Sequence, residues 1–157
     1  MAKTETIPDK DALKRVGKQV RERLNADPGV YRIDTDKADL YAVGDFLSLA
    51  ECERLCAMVD QTARPSSLHE IGYDSGIRTS YSGDLDPFDS FVKGIGRRID
   101  DLLGLDSKIG EAIQGQRYLP GQQFKPHNDW FYTTEKYWQD ERQRGGQRSW
   151  TTMAFLN

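Results

Sequence analysis

The chain is poor in the residues from which thiol and metal sites are built: 157 residues contain two cysteines and two histidines. Cys52 and Cys56 lie four apart on an expected helix, where parallel side-chain directions make a mutual disulfide awkward. A disulfide-stapled secreted scaffold is therefore excluded, and the pair reads as two small residues on one helical face. A C-x-x-x-C pair with no further Cys or His nearby is also a poor metal site. No apolar run approaches the roughly 18 residues of a membrane span, and the start MAKTETIPDKDALKR has no apolar segment after its charges. Charge of one sign is missing too. Lys+Arg 22 against Asp+Glu 25 leaves a net charge of −3 with both signs interspersed, so there is neither a basic field for nucleic acid nor an acidic tail. Internal repeats and low-complexity segments are absent. These absences predict a soluble, cytoplasmic protein of one domain with no nucleic-acid or membrane partner. With 37% hydrophobic and 10% aromatic residues, one core can be filled.

Periodicity and capping signals divide the chain. Leu13, Val16, Val20 and Leu24 recur at helical spacing between Asp9 and Asn25, and Asp27-Pro28-Gly29 stops that helix. Val30–Ile33 and Leu40–Val43 are short strand candidates. Ser48 and Glu51 form a capping box ahead of Leu49, Cys52, Leu55, Cys56 and Val59, which predicts a second helix ending near Arg64-Pro65. Residues 66–76 lack periodicity and read as a loop. Ile77–Tyr81 reads as a strand, and Asp86-Pro87 is expected to open a third helix that Gly104 terminates. Leu119-Pro120-Gly121-Gln122 suits a type II turn. Beyond it lie Gln123 to His127, a polar and aromatic loop over 130–144, and a final strand over 148–156. The loop could close over a substrate, or its aromatics could simply pack down; a nucleic-acid surface is disfavoured by Glu135, Asp140 and Glu141.

Any histidine chemistry must use His69 or His127, and only His127 has company. In extended backbone, His127 and Asp129 point to one face and can grip a cation from adjacent corners. An imidazole nitrogen with a carboxylate oxygen suits Fe(II), Mn or Zn, and supplies two of the three ligands of a 2-His-1-carboxylate facial triad. Alone, H-x-D is a weak signal, common by chance, and more often a surface histidine beside a capping aspartate.

The run from Glu111 through Tyr118, the Pro-Gly turn, Phe124, His127 and Asp129, followed by Gly145-Gly146-Gln147-Arg148 and Thr151 to Asn157, resembles the prolyl 4-hydroxylase family of Fe(II)/2-oxoglutarate dioxygenases. Arg78-Thr79-Ser80 and the third helix resemble it as well, so the likeness covers about half the chain. It implies an α+β fold with a double-stranded β-helix (jelly-roll) core. Residues 1–76 would be a helical support, and residues 77–157 the first part of the jelly roll. It also implies hydroxylation of an unactivated C–H bond in peptidyl proline or a related peptide or small-molecule substrate. Fe(II), 2-oxoglutarate and O2 would be required, with ascorbate a candidate addition, and succinate and CO2 released. His127 and Asp129 would be metal ligands, and Tyr118 would reach 2-oxoglutarate. Arg78, Ser80, Glu111, Phe124 and Arg148 would face the substrate.

Two positions depart from the family pattern. Phe155 and Phe124 stand where relatives often carry tyrosine, so the hydroxyl contacts those tyrosines would make are lost. A distal histidine and a basic 2-oxoglutarate anchor are expected beyond residue 157, and the chain reads as an incomplete copy whose fragment is inactive. Two contrasting expectations are a non-catalytic binding module that keeps the fold, and a Zn-dependent hydrolase using the same pair.

Overall fold

The computed structural model describes residues 9–66 and 77–157. His69 and nearly all of the loop expected over 66–76 lie outside the described residues. Two compact units are present, and each draws on segments distant in sequence: of the described residues, one holds 9–46, 95–111 and 129–153, the other 47–66, 77–94, 112–128 and 154–157.

In the first unit, α1 (Lys10–Ala26) starts where Asp9 accepts from the N–H groups of Asp11 and Ala12, satisfying two orphan donors. Its inner face buries Val20 and Leu24. The antiparallel pair β1 (Val30–Arg32) and β2 (Tyr41–Val43) follows, and α1 packs on β1. Gly104, at φ +67°, takes the left-handed position that ends α3 (Ser90–Leu103), and its carbonyl accepts from Gln19 Nε2 at 2.7 Å. Arg23 donates to the Asp101 carbonyl, which ties α1 to the end of α3.

The second unit is built on α2 (Leu49–Thr62), whose capping box forms as expected: Ser48 Oγ accepts from Glu51 N, and Glu51 accepts from Ser48 N. This helix lies on a three-stranded antiparallel sheet ordered β3 (Arg64–Pro65), β4 (Tyr81–Asp84), β5 (Gln114–Arg117). Leu55 and Val59 of α2 bury against Leu85 and Val92, flanked by Leu47, Met58, Phe91, Ile113 and Leu156. Helix and sheet meet unusually closely because β4 and β5 present glycines. A Cβ on Gly83 would stand 2.5 Å from the Val59 carbonyl oxygen, and one on Gly115 would stand 2.0 Å from Val59 Cγ2. The Leu119–Gln122 turn also forms as expected, with Gly121 at φ +84° and Gln122 N donating to the Leu119 carbonyl at 2.9 Å.

Four expectations need correction. The strand expected at Ile77–Tyr81 begins only at Tyr81, although Arg78 makes an isolated bridge to Phe124. Its partner segment, 123–127, contributes that bridge and its flanking bonds. Helix α3 begins at Ser90 rather than at Pro87, because the Asp89 carboxylate captures the N–H groups of Phe91 and Val92. The Val92 and Phe91 bonds hold the Asp89 carboxyl below its usual range, while Phe88 stays outside the helix and exposed. The expected loop contains a further helix, α4 (Trp138–Arg144), with acids in its first turn and bases in its last. The expected final strand is absent: residues 148–157 pair with no strand among the described residues. Phe155 is 85% exposed there, whereas Leu156 packs against the second unit's core. The described residues are thus a mixed α/β arrangement with one two-stranded and one three-stranded antiparallel sheet, compatible with an α+β class. Among them no helix is long and apolar enough to cross a membrane.

Candidate functional site

The structure gathers the candidate residues into two groups, one in each unit. In the second unit the group is organised by the bridge between Arg78 and Phe124. Thr79 N donates to the Gln123 carbonyl and Lys125 N to the Ile77 carbonyl, both at 2.9 Å, so both side chains issue from paired backbone. The Arg78 guanidinium lies 4.7 Å above the Phe124 ring. Its Nε donates to Ser80 Oγ at 3.2 Å and its Nη2 to Ser82 Oγ at 3.0 Å. Ser66 Oγ joins both serine hydroxyls, at 3.0 and 2.7 Å. Ser80 is only 2% exposed, and its hydroxyl is satisfied by these bonds. Burial lowers the Arg78 pKa, partly offset by the neighbouring Tyr118. Tyr118 itself is 45% exposed, just past β5, with its hydroxyl donating to Gln116 Oε1 at 2.9 Å.

His127 stacks on Phe124, ring centroids 3.6 Å apart and planes 16° from parallel. Its Nδ1 lies 2.8 Å from the Lys125 carbonyl oxygen. A carbonyl oxygen only accepts, so Nδ1 carries the hydrogen, and in the neutral ring Nε2 is the basic nitrogen. Metal-ligating histidines are fixed in this way, by donation of the other ring N–H to a carbonyl.

In the first unit Arg148 and Glu111 face each other as a two-pronged ion pair, with Nε and Nη2 each 2.5 Å from a Glu111 oxygen. The Glu111 bonds, opposed by desolvation, raise the Arg148 pKa above its ordinary value. Arg148 also covers the Phe131 ring at 4.3 Å and donates from Nη1 to the Asp129 carbonyl at 3.2 Å. The Asp129 carboxylate accepts from Thr151 Oγ1 at 2.9 Å, and Gln147 pins the Phe131 backbone through both its amide atoms. Of the three charged residues expected to face a substrate, Glu111 and Arg148 are each other's partners.

Sequence reading missed Ser66, Ser82, Phe131, Gln147 and Thr151. Ser80 and Ser82 carried a signal, being two apart where extended backbone brings both to one face. The remaining four had none, since each acts through a contact distant in sequence. Among the described residues no group of three His, Cys, Asp or Glu side chains could hold a metal. As a donor set, however, an oriented imidazole and a hydroxyl-braced carboxylate two residues apart fit two positions of a mononuclear Fe(II) centre.

Comparison with known proteins bears on the family. No family model matches the chain. "Prolyl 4-hydroxylase 1" of Arabidopsis thaliana is 31% identical over 156 residues, covering 94% of this chain and 50% of that protein. "Probable prolyl 4-hydroxylase 8" of Arabidopsis thaliana is 30% identical over 118 residues, 72% of this chain and 39% of that protein. A protein of Acanthamoeba polyphaga mimivirus also named for prolyl 4-hydroxylase is 25% identical over 134 residues, 85% of this chain and 55% of its own length. The chain spans about half the length of these curated relatives, or less. The similarity supports a prolyl 4-hydroxylase-like family.

Proposed function

We propose that the chain carries part of an Fe(II)- and 2-oxoglutarate-dependent dioxygenase with a jelly-roll core, acting on peptidyl proline or a related substrate. His127 and Asp129 are two of its iron ligands. The third is a histidine in a segment corresponding to the part of the relatives that this chain does not span. The observation that carries the reading is the similarity to proteins named prolyl 4-hydroxylases, extending over 94% of a chain whose one H-x-D pair holds its imidazole through Nδ1 and its carboxylate through Thr151. When bound, Fe(II) with 2-oxoglutarate and O2 supplies the oxidant that hydroxylates an unactivated C–H bond, 2-oxoglutarate leaving as succinate and CO2.

The chain's own residues bind and orient. His127 offers Nε2 because Nδ1 is committed to the Lys125 carbonyl. Asp129 offers a carboxylate braced by Thr151. The Tyr118 hydroxyl exchanges its bond to Gln116 for one to 2-oxoglutarate. Glu111 and Arg148 supply the polar wall of a peptide groove, and a substrate amide must compete with their mutual ion pair. Phe124, which lacks a hydroxyl, gives an apolar surface between Arg78 and His127.

The test is succinate formation from 2-oxoglutarate by the full-length protein with Fe(II) and a proline-containing peptide. His127→Ala and Asp129→Ala should each abolish it, and unchanged turnover in both variants refutes the assignment. A full-length protein that fails to bind 2-oxoglutarate in the presence of Fe(II) is instead a non-catalytic module.

A further inference from the structure

We propose that Phe124 and Arg78 are positioning residues for the His127 imidazole, forming a three-layer stack whose outer member is fixed by the Ser66, Ser80 and Ser82 hydroxyls. The inference rests on the reading of His127 as a metal ligand and adds residues that hold it. His127 is solvent-exposed, and an exposed imidazole samples several rotamers unless something restrains it. Two restraints act at right angles. The Phe124 ring, 3.6 Å away and nearly parallel, fixes the plane of the imidazole. The Nδ1–H bond to the Lys125 carbonyl fixes its rotation within that plane and its tautomer.

The restraint is only as rigid as Phe124. A stacked ring at 3.6 Å fills one face of Phe124, which leaves the other face to the Arg78 guanidinium at 4.7 Å. Arg78 has no carboxylate partner among the described residues. Its named contacts are the Phe124 ring face and two neutral hydroxyls. A planar guanidinium can lie flat on a ring while its edge donates to hydroxyls; a lysine ammonium cannot do both. Ser80 and Ser82 are buried and are themselves joined to Ser66, so the donors of Arg78 end in a network with little freedom to rearrange. On this account Arg78 and Ser80 act on the metal ligand through Phe124, whatever they contribute to a substrate groove.

The experiment is long-range proton–nitrogen NMR of the two imidazoles in the metal-free full chain, assigned with a His69→Gln variant, together with Co(II) titration. In the wild-type chain His127 should show one tautomer, protonated at Nδ1, with ring protons shifted upfield by the Phe124 face. Phe124→Leu should remove the upfield shift, admit the second tautomer and weaken Co(II) binding about tenfold. Phe124→Tyr should restore all three, which a merely misfolded chain would not. Arg78→Lys should move each readout in the same direction by a smaller factor. Equal Co(II) affinity in wild type and Phe124→Leu, or His127 ring protons that ignore the substitution, overturns the inference. A wild-type chain that takes up no Co(II) at all refutes the metal reading instead, and with it the purpose of the stack.

Discussion

The two members of the H-x-D pair are held by opposite physics. His127, in the second unit, is restrained by a stacked ring, a neutral backbone bond and, behind that ring, a desolvated guanidinium held by a hydroxyl network. Asp129, in the first unit, is braced by an exposed hydroxyl, and its backbone is held by an arginine whose charge is matched to Glu111. Packing and buried hydrogen bonds are little affected by salt, whereas a half-exposed ion pair is screened by it. Two residues that are neighbours in sequence are thus held by devices that respond to different conditions.

That contrast can be broken hardest through packing. Gly115→Ala places a methyl 2.0 Å from Val59 Cγ2, and should destabilise the second unit by about 3 kcal/mol, read as a fall in the urea midpoint. Gly44→Ala in the first unit, with open space around the added carbon, is the matched control and should lie within about 0.5 kcal/mol of wild type. Equal effects would remove the packing difference between the units.

Ser80→Ala tests the hydroxyl network at a 2% exposed position. It strips Arg78 of one acceptor and should cost about 1–2 kcal/mol, with no dependence on salt between low and high ionic strength. Glu111→Gln should show the opposite profile. Both partners are partly exposed, so the loss should be about 1 kcal/mol or less at low salt and should shrink further as salt is added. A salt-independent loss there would show that the pair acts by shape rather than by charge.

The smallest effect concerns pH. Desolvation, with Asp101 and Asp106 nearby, raises the Asp100 carboxyl above its usual range. A carboxyl with a raised folded-state pKa favours the folded state below its unfolded value and loses that favour as pH rises through the folded value. At neutral pH Asp100 is therefore a mild liability. Asp100→Asn should stabilise the chain by less than about 1 kcal/mol near neutrality, and the gap to wild type should close on acidification, measured by thermal melts across pH.

What could be read from the sequence was whatever is settled within a few residues. The Ser48–Glu51 box, the glycine stop at Gly104 and the Pro120-Gly121 turn all formed because each is closed by neighbours three or four positions away. The sheet was less legible, since a strand exists only as half of a ladder. Residues 148–156 have strand-like composition but no partner among the described residues, and the Ile77–Tyr81 signal was spent on one bridge before pairing began at Tyr81. At the candidate site, His127 and Asp129 could be named from type and spacing, Phe124 and Arg148 only from the family resemblance. That Arg148 closes on Glu111 depends on a contact 37 residues apart that no periodicity encodes, whereas Arg78, Ser80 and Ser82 share the period-two face of an extended segment. Helix α4 was missed although its charges ran acid to base ahead of Gly145-Gly146, because aromatic residues on its approach looked like a covering loop.

The close seat of α2 on its sheet has a consequence for how such chains diverge. At position 115 the obstacle is the Val59 side chain, whose Cγ2 would lie 2.0 Å from an added Cβ, so positions 59 and 115 share one fixed volume. A larger residue at 115 becomes tolerable only after position 59 has shrunk, and a larger residue at 59 only while Gly115 persists. At position 83 the obstacle is the Val59 carbonyl oxygen, 2.5 Å from an added Cβ, which no substitution at 59 removes. Among diverging copies 59 and 115 should therefore change together, while the glycine at 83 stays fixed.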